Sequence, residues 1–388
     1  MTRVQDHWRR FLVLAPAVTI TIGVAACAGF EEPALQPITT VAITRVAIPP
    51  VSGKSGQFDL MALDQSAHRL FLADALDQGI DVIDVSTPPG QYLRTISLPA
   101  IPNGLLYVDE LHRLFTANAD STVAVIDEDP ASPQRDAVVS VIHTGGEGVS
   151  DLLDYDPADH KIFVTNPDDG FVSAIDVTTN RVVARISNLG ATEQPRYDPV
   201  DGMLYVLDGD SNAVAEIDPR KDTLVKEYPL PVVCVPHGVA IDPATNQGLI
   251  GCGDKDNLVS IAWDFTAHRT LKTFDFAGGG DQVIFDASAQ HFYFAASGYT
   301  PSEIAVFNAA PITFLTAIAT SHHSTQVAYD ETHHLIYTAD GLHFQAGVWA
   351  FADPVVGCMG AEAQLAAQGA PRAETPHCHP ERYAVKGS

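Results

Sequence analysis

The sequence predicts an all-β chain, a seven-bladed β-propeller of four-stranded blades. Three observations predict it. One short motif recurs seven times, a second run follows each copy at a steady offset, and the last copy lacks a strand that the N-terminal end of the repeat region supplies. Repeats of about 40–45 residues holding four strands each are the sequence signature of propeller blades.

The motif is a polar turn followed by an alternating apolar run. It reads "DQSAHRLFLAD", "DELHRLFTAN", "DPADHKIFVTN", "DPVDGMLYVLD", "DPATNQGLIGC", "DASAQHFYFAA" and "DETHHLIYTAD". The leading aspartates are Asp64, Asp109, Asp156, Asp198, Asp242, Asp286 and Asp330, spaced by 45, 47, 42, 44, 44 and 44 residues. A short apolar strand such as "GVAID" or "QVIFD" precedes each aspartate, and a run such as "IDVIDV", "VSAIDV" or "IAVFNA" follows each motif. Most copies add a third run, as in "RVVARISNLG". Period-2 alternation bounded by Asp, Asn and Gly turns makes these runs strands.

The seventh copy ends at "VWAFADP" without its fourth strand. The segment 41–49, "VAITRVAIP", has the outer-strand pattern and stands before the first blade. Pairing it with the last blade closes the ring and leaves no open sheet edge there, whereas an open solenoid would leave two. The propeller is therefore assigned to residues 41–353.

Residues 1–26 read as a signal peptide: a basic start, "MTRVQDHWRR", then an apolar core, "FLVLAPAVTITIGVAA", too short for a stable membrane span. The small residues Val24, Ala25 and Ala26 before Cys27 resemble a bacterial lipobox, which makes Cys27 the lipidation site; an ordinary secretory signal is the alternative. Either reading places the mature chain outside the cytoplasm, in the periplasm or at the cell surface, and the lipobox anchors it to a membrane. Residues 27–40 form a tether, and residues 354–388 a tail whose "AEAQLAAQGA" stretch suits about two helical turns. With Cys27 set aside, Cys234, Cys252, Cys358 and Cys378 suggest two disulfides in an oxidising compartment. Spacing favours Cys234–Cys252 and Cys358–Cys378, although four cysteines permit three pairings.

The formal charge is −26, from 22 Lys+Arg against 48 Asp+Glu, and becomes −28 once cleavage removes Arg3, Arg9, Arg10 and Asp6. Such a surface repels phosphate backbones and argues against nucleic-acid partners. It serves solubility first, and attraction of cations or basic partners second.

The repeat resembles the YVTN family of seven-bladed propellers. The namesake tetrapeptide survives as "FVTN" at Phe163 to Asn166, with "LYVLD" and "IYTAD" as variants, over roughly Val41 to Asp353. The resemblance implies the fold. It implies little about activity, because such folds host binding modules, structural proteins and enzymes. Related seven-bladed propellers include lactonases and antibiotic-cleaving lyases that use a few histidine and acidic residues at the channel mouth.

In a propeller, the loops leading into the innermost strands surround the mouth of the central channel. Five residues before each leading aspartate stand Asp59, Gly104, Asp151, Glu193, His237, Asp281 and Thr325. Gln194, Gln282 and Gln326 follow three of them, and His322 and His323 lie just upstream in the last blade. Four carboxylates and an imidazole suit a polar ligand or a divalent cation, Ca²⁺ or Mg²⁺ on oxygen alone or Zn²⁺ with histidine, but also a merely solvated mouth. In the tail, His377, Cys378 and His379 with Cys358 offer a metal set that competes with the disulfide.

The Asp/Asn-rich loops between second and third strands, such as "DGDSN" at 208–212, lack the glycine and glutamate of an EF-hand and read as Asx turns. His68, His112, His160, His291 and His334 all fall at the turn between first and second strands, away from the mouth, and read as polar turn residues. Asp154 and Arg196 occupy equivalent positions in adjacent blades and suggest an inter-blade ion pair. No GxSxG, HExxH, P-loop or dinucleotide motif is present.

Two functions follow. The first is a lipid-anchored, monomeric binding or scaffold module for a protein, glycan or small molecule. The second is a metal-assisted lyase or lactonase-like enzyme with His237, and Glu193 or Asp281, as base and metal ligands.

Overall fold

A computed structural model describes residues 43–49, 57–320, 323–340 and 346–355. It holds seven four-stranded antiparallel sheets, each with its strands in consecutive order except the last. That one is built from Ala328–Asp330, Leu335–Asp340 and Gly347–Ala352, and Ile43–Ala47 completes it. Ile43 pairs with Phe351 and Ala47 with Gly347, so the N-terminal strand closes the ring as expected.

The repeated residues explain the blade locally. Each first strand runs from the channel mouth to the opposite end, where the leading aspartate turns the chain. The Asp156 carboxylate accepts the amides of Ala158 at 2.8 Å and Asp159 at 3.2 Å. Asp64, Asp198, Asp242, Asp286 and Asp330 make the same kind of turn onto Ala67, Val200, Ala244, Ala289 and Thr332. Each turn then passes through a left-handed residue: His68, His112, His160, Gly202, Asn246, Gln290 and His334 all have φ between 47° and 72°. Histidine, asparagine and glycine tolerate that conformation better than β-branched residues. Four of the five turn histidines thus occupy a backbone-determined position. His291 does not. Gln290 takes the left-handed place in its blade, and His291 begins the next strand, buried, with Nδ1 3.7 Å from the Asp353 carboxylate.

The core lies between blades. Phe71, Ile80 and Val82 of blade 1 pack on Leu114 and Ile126 of blade 2. Val46 and Ile48 of the N-terminal segment pack with Leu72 and Ile83 of blade 1 and Tyr337 of blade 7, so the closing interface is apolar as well as hydrogen-bonded. Each such side chain removed from water contributes about 1.5–3 kcal/mol. Polar struts accompany the packing. Arg196 reaches Asp154 at 3.2 Å, the expected pair of blades 3 and 4, and Asp154 also accepts the Tyr197 amide at 2.6 Å. A second strut, not anticipated, joins blades 1 and 2: Arg69 binds Glu128 at 2.6 Å and also Asp136.

The loops at Asp208 and Asp254 are Asx turns, as their composition suggests: Asp208 accepts the Ser211 amide at 2.8 Å, and Asp254 that of Asp256 at 2.9 Å. The loop at Pro167–Asp169 is instead a 3-10 turn, with Asp169 accepting the amides of Glu147 and Gly148. The lipobox with Cys27, the tether, His322, and Cys358 and Cys378 with their metal alternative lie outside the described residues.

Candidate functional site at the channel mouth

The site is built from the starts of first strands, where copies of the repeat differ. His237, near the start of the strand Pro236–Asp242, lies between two neighbours. Its Nε2 is 3.4 Å from Glu193 of blade 4, and its Nδ1 is 3.2 Å from Asp281 of blade 6. Two backbone features hold the ring there. The Cys234–Cys252 disulfide, with Cα atoms 5.3 Å apart, pins the loop before His237 to the end of the neighbouring strand. Gly253, next in line, leaves room for the imidazole, because a Cβ there would stand 2.7 Å from Nδ1. Gly104, which interrupts the charged positions, is also dictated by packing: its Cβ would fall 2.0 Å from the Asp151 carbonyl of the next blade.

Asp59 and Asp151 complete the anionic set. Burial, then the charges of Asp151 and Asp281 and more weakly Glu193, push the Asp59 carboxyl well above the usual range. Burial and the charge of Asp281 raise Asp151 to about 6. Burial raises Glu193 to about 8, although His237 opposes the shift. For His237, burial disfavours the charge, but Asp281, Glu193 and Asp151 outweigh it and raise the imidazole to about 9. At neutral pH the mouth therefore carries an imidazolium on His237, and Glu193 retains its proton. Among the described residues, no lysine or arginine nitrogen lies within 4.0 Å of these four carboxylates.

The glutamines have other work. Gln194 accepts the Val239 amide at 2.9 Å, tying blade 4 to blade 5. Gln282 accepts from Val327 at 3.0 Å and donates to the Met61 carbonyl at 3.1 Å, linking blades 6, 7 and 1. Both line a cavity of about 150 Å³, together with Arg196 and with apolar residues that include Leu60, Leu105, Leu152 and Ile284. Gln326 is fully buried and its Nε2 has no hydrogen-bond partner. Thr325 donates to the Gln326 side-chain oxygen at 3.3 Å, and His323 is exposed.

No protein-family model matches this chain, and no curated protein matches it in sequence.

The donors of the mouth come from separate blades and surround a space. They do not form a compact trio of ligand atoms within 4.8 Å of one another. Among the described residues only Asp74, Asp77 and Asp81 do so, in the second-to-third strand loop of blade 1, where Asp74 pairs with Phe58 beside Asp59. The spacing D-x2-D-x3-D in "DALDQGID" was the available signal, hidden among loops that read as ordinary Asx turns.

Proposed function

We propose that the chain is a lipid-anchored, extracytoplasmic propeller of the YVTN type that binds a cationic organic ligand at its channel mouth. The propeller fold itself fits a binding or scaffold module. One observation carries the finer reading: Asp59, Asp151, Glu193 and Asp281 converge from four blades with no lysine or arginine seated among them. A carboxyl held protonated by burial and neighbouring charge, as Glu193 is, ionises when an opposite charge arrives. A protonated amine or guanidinium supplies that charge, and Leu60, Leu105 and Leu152, which line the cavity together with Gln194, Gln282 and Arg196, offer contact to its carbon stem. The lipobox and the acidic surface support the location and the ligand's sign.

Calorimetry with 1,5-diaminopentane, and with 1-pentanol as the neutral control, tests this reading. Saturable binding of the diamine alone is expected, with protons released at pH 7 and an affinity at least ~10-fold weaker in Glu193→Gln/Asp151→Asn, about 1.4 kcal/mol. Equal affinity in that variant, or no proton release, would sink it. Loss of detergent-phase partitioning in Cys27→Ala tests the anchor. The metal-assisted reading has one observation in its favour, the imidazole flanked by two carboxylates. Stoichiometric metal lost on His237→Ala is its requirement.

A further inference from the structure

The acidic trio of blade 1 differs in kind from the mouth. Asp74 ends the strand Arg69–Asp74, Asp77 lies in the loop, and Asp81 belongs to the strand Gly79–Asp84. One oxygen from each lies within 4.8 Å of the others. Asp74 and Asp81 are buried, at 2% and 0% exposure. Asp74 spends one oxygen on the amides of Leu76, at 2.8 Å, and Asp77, at 3.1 Å, which fixes the loop's curvature. Asp81 accepts Thr95 Oγ1 at 2.6 Å on one oxygen, and Thr95 is in turn held by Tyr92 at 2.8 Å. The other oxygen, Oδ2, is buried and has no partner. A fully buried carboxylate oxygen without a donor is costly to leave in place, and buried charges are ordinarily paired or bound to metal. Among the described residues no Lys, Arg or His nitrogen lies within 4.0 Å of the three.

We propose that Asp74, Asp77 and Asp81 bind a calcium ion that completes the unpartnered oxygen of Asp81. The donor set is all oxygen with no sulfur or imidazole, which selects hard cations. Calcium tolerates a mixture of buried and loop ligands and fills its remaining positions with water, whereas magnesium demands near-octahedral geometry. The site's position gives the ion a role. Asp81 pairs with Leu72 in the sheet, and Leu72 packs in the core cluster that also contains Val46 and Ile48. The loop is tied to the start of the innermost strand by the Ala75 amide on the Gln57 carbonyl at 2.9 Å. Calcium would therefore stiffen blade 1 beside the seam that closes the ring.

The test is titration of the chelator-treated, intact protein with CaCl2, read by calorimetry and by melting temperature. One saturable site is expected, with Kd on the order of 10⁻⁴–10⁻³ M, as in extracellular calcium modules. Asp81→Asn and Asp77→Asn should each weaken it at least ~10-fold and abolish the calcium-dependent rise in melting temperature, whereas Glu193→Gln at the mouth should leave both unchanged. Asp77 is half-buried in a loop, so its variant keeps the test decisive if Asp81→Asn fails to fold. No saturable calcium uptake would mean that protons neutralise the trio, and would overturn the site. Uptake unaffected by both substitutions, or lost with Glu193→Gln, would overturn it equally.

Discussion

The two ends of each blade are both polar, yet they are polar in opposite ways. At the turn end, the leading aspartates recur, and Asp156, Asp198, Asp242 and Asp330 each spend one carboxylate oxygen on their own backbone. At the mouth, residues differ from copy to copy, and their charges face one another across a space. The buried "FVTN" asparagine belongs to the first kind although it lies near the mouth: Asn166 is fully buried and its side chain is saturated by hydrogen bonds. Polar residues that satisfy themselves encode shape. Those left facing one another are where a ligand can add something.

The most severe way to break this contrast is at Asn166. Its side chain accepts Thr144 Oγ1 at 2.7 Å and Ser150 Oγ at 3.0 Å, and donates to the Val164 carbonyl at 3.1 Å and Ser173 Oγ at 3.1 Å. Asn166→Ala strips partners from several buried groups, each worth about 1–3 kcal/mol when orphaned. A loss of about 4 kcal/mol in urea unfolding is expected, with the diamine affinity of the folded fraction unchanged. A neutral result would show that the conspicuous tetrapeptide is not structural.

Next in size is the disulfide, the point where the two kinds of polarity meet. Cys234 and Cys252 are 18 residues apart. In the chain-entropy account, a loop of that length contributes about 3 kcal/mol. The double substitution Cys234→Ala/Cys252→Ala should lower stability by up to that amount. It should also weaken ligand binding, because it releases the loop that presents His237. Stability lost with binding intact would separate the ring from the loop that holds it.

A smaller effect sharpens the electrostatic side. Glu193 keeps its proton to about pH 8 in the folded chain, against an ordinary 4.5, and His237 keeps its proton to about 9 against 6.5. Across pH 4.5 to 9 the folded state therefore holds more protons than the unfolded one, and these groups make stability fall as pH rises. The imidazolium's contribution is complete below pH 6.5 and lost as pH passes 9; the carboxylate's burial penalty is absent below 4.5 and complete above 8. Glu193→Gln should match the wild type near pH 4.5 and exceed it at pH 9 by on the order of 1 kcal/mol. Thermal melts at the two pH values decide it. An equal decline in both proteins would place the proton uptake elsewhere.

The blades were legible in the sequence because the repeat states the same turn chemistry seven times, and the N-terminal strand because the last copy lacked one. The mouth residues were legible as positions: counting back from each aspartate located His237, Glu193 and Asp281, which the fold brings to within 3.4 Å of the imidazole. Position did not reveal role for Gln194 and Gln282, since whether an amide faces a channel or ties two blades depends on the neighbouring backbone. His291 was misplaced by one residue, enough to move a side chain from a turn into the core. Asp81 was missed because its D-x2-D-x3-D spacing sits among many acidic turns, and spacing does not report that Asp81 is buried.

The finest test concerns the turn end itself, at the histidine of "DHKIFVTN". His160 has φ 54°, and its side chain makes one exposed contact, Nδ1 at 3.3 Å from Tyr155 Oη. If the backbone alone dictates the residue, His160→Gly should change stability by no more than about 0.5 kcal/mol, as glycine takes the left-handed conformation without penalty. His160→Val, with a β-branched side chain in the same place, should cost about 1–2 kcal/mol. Urea unfolding of the pair measures the difference. Were glycine as damaging as valine, the imidazole rather than the backbone would hold the turn, and the repeated histidines would belong with the mouth residues as groups chosen for their side chains.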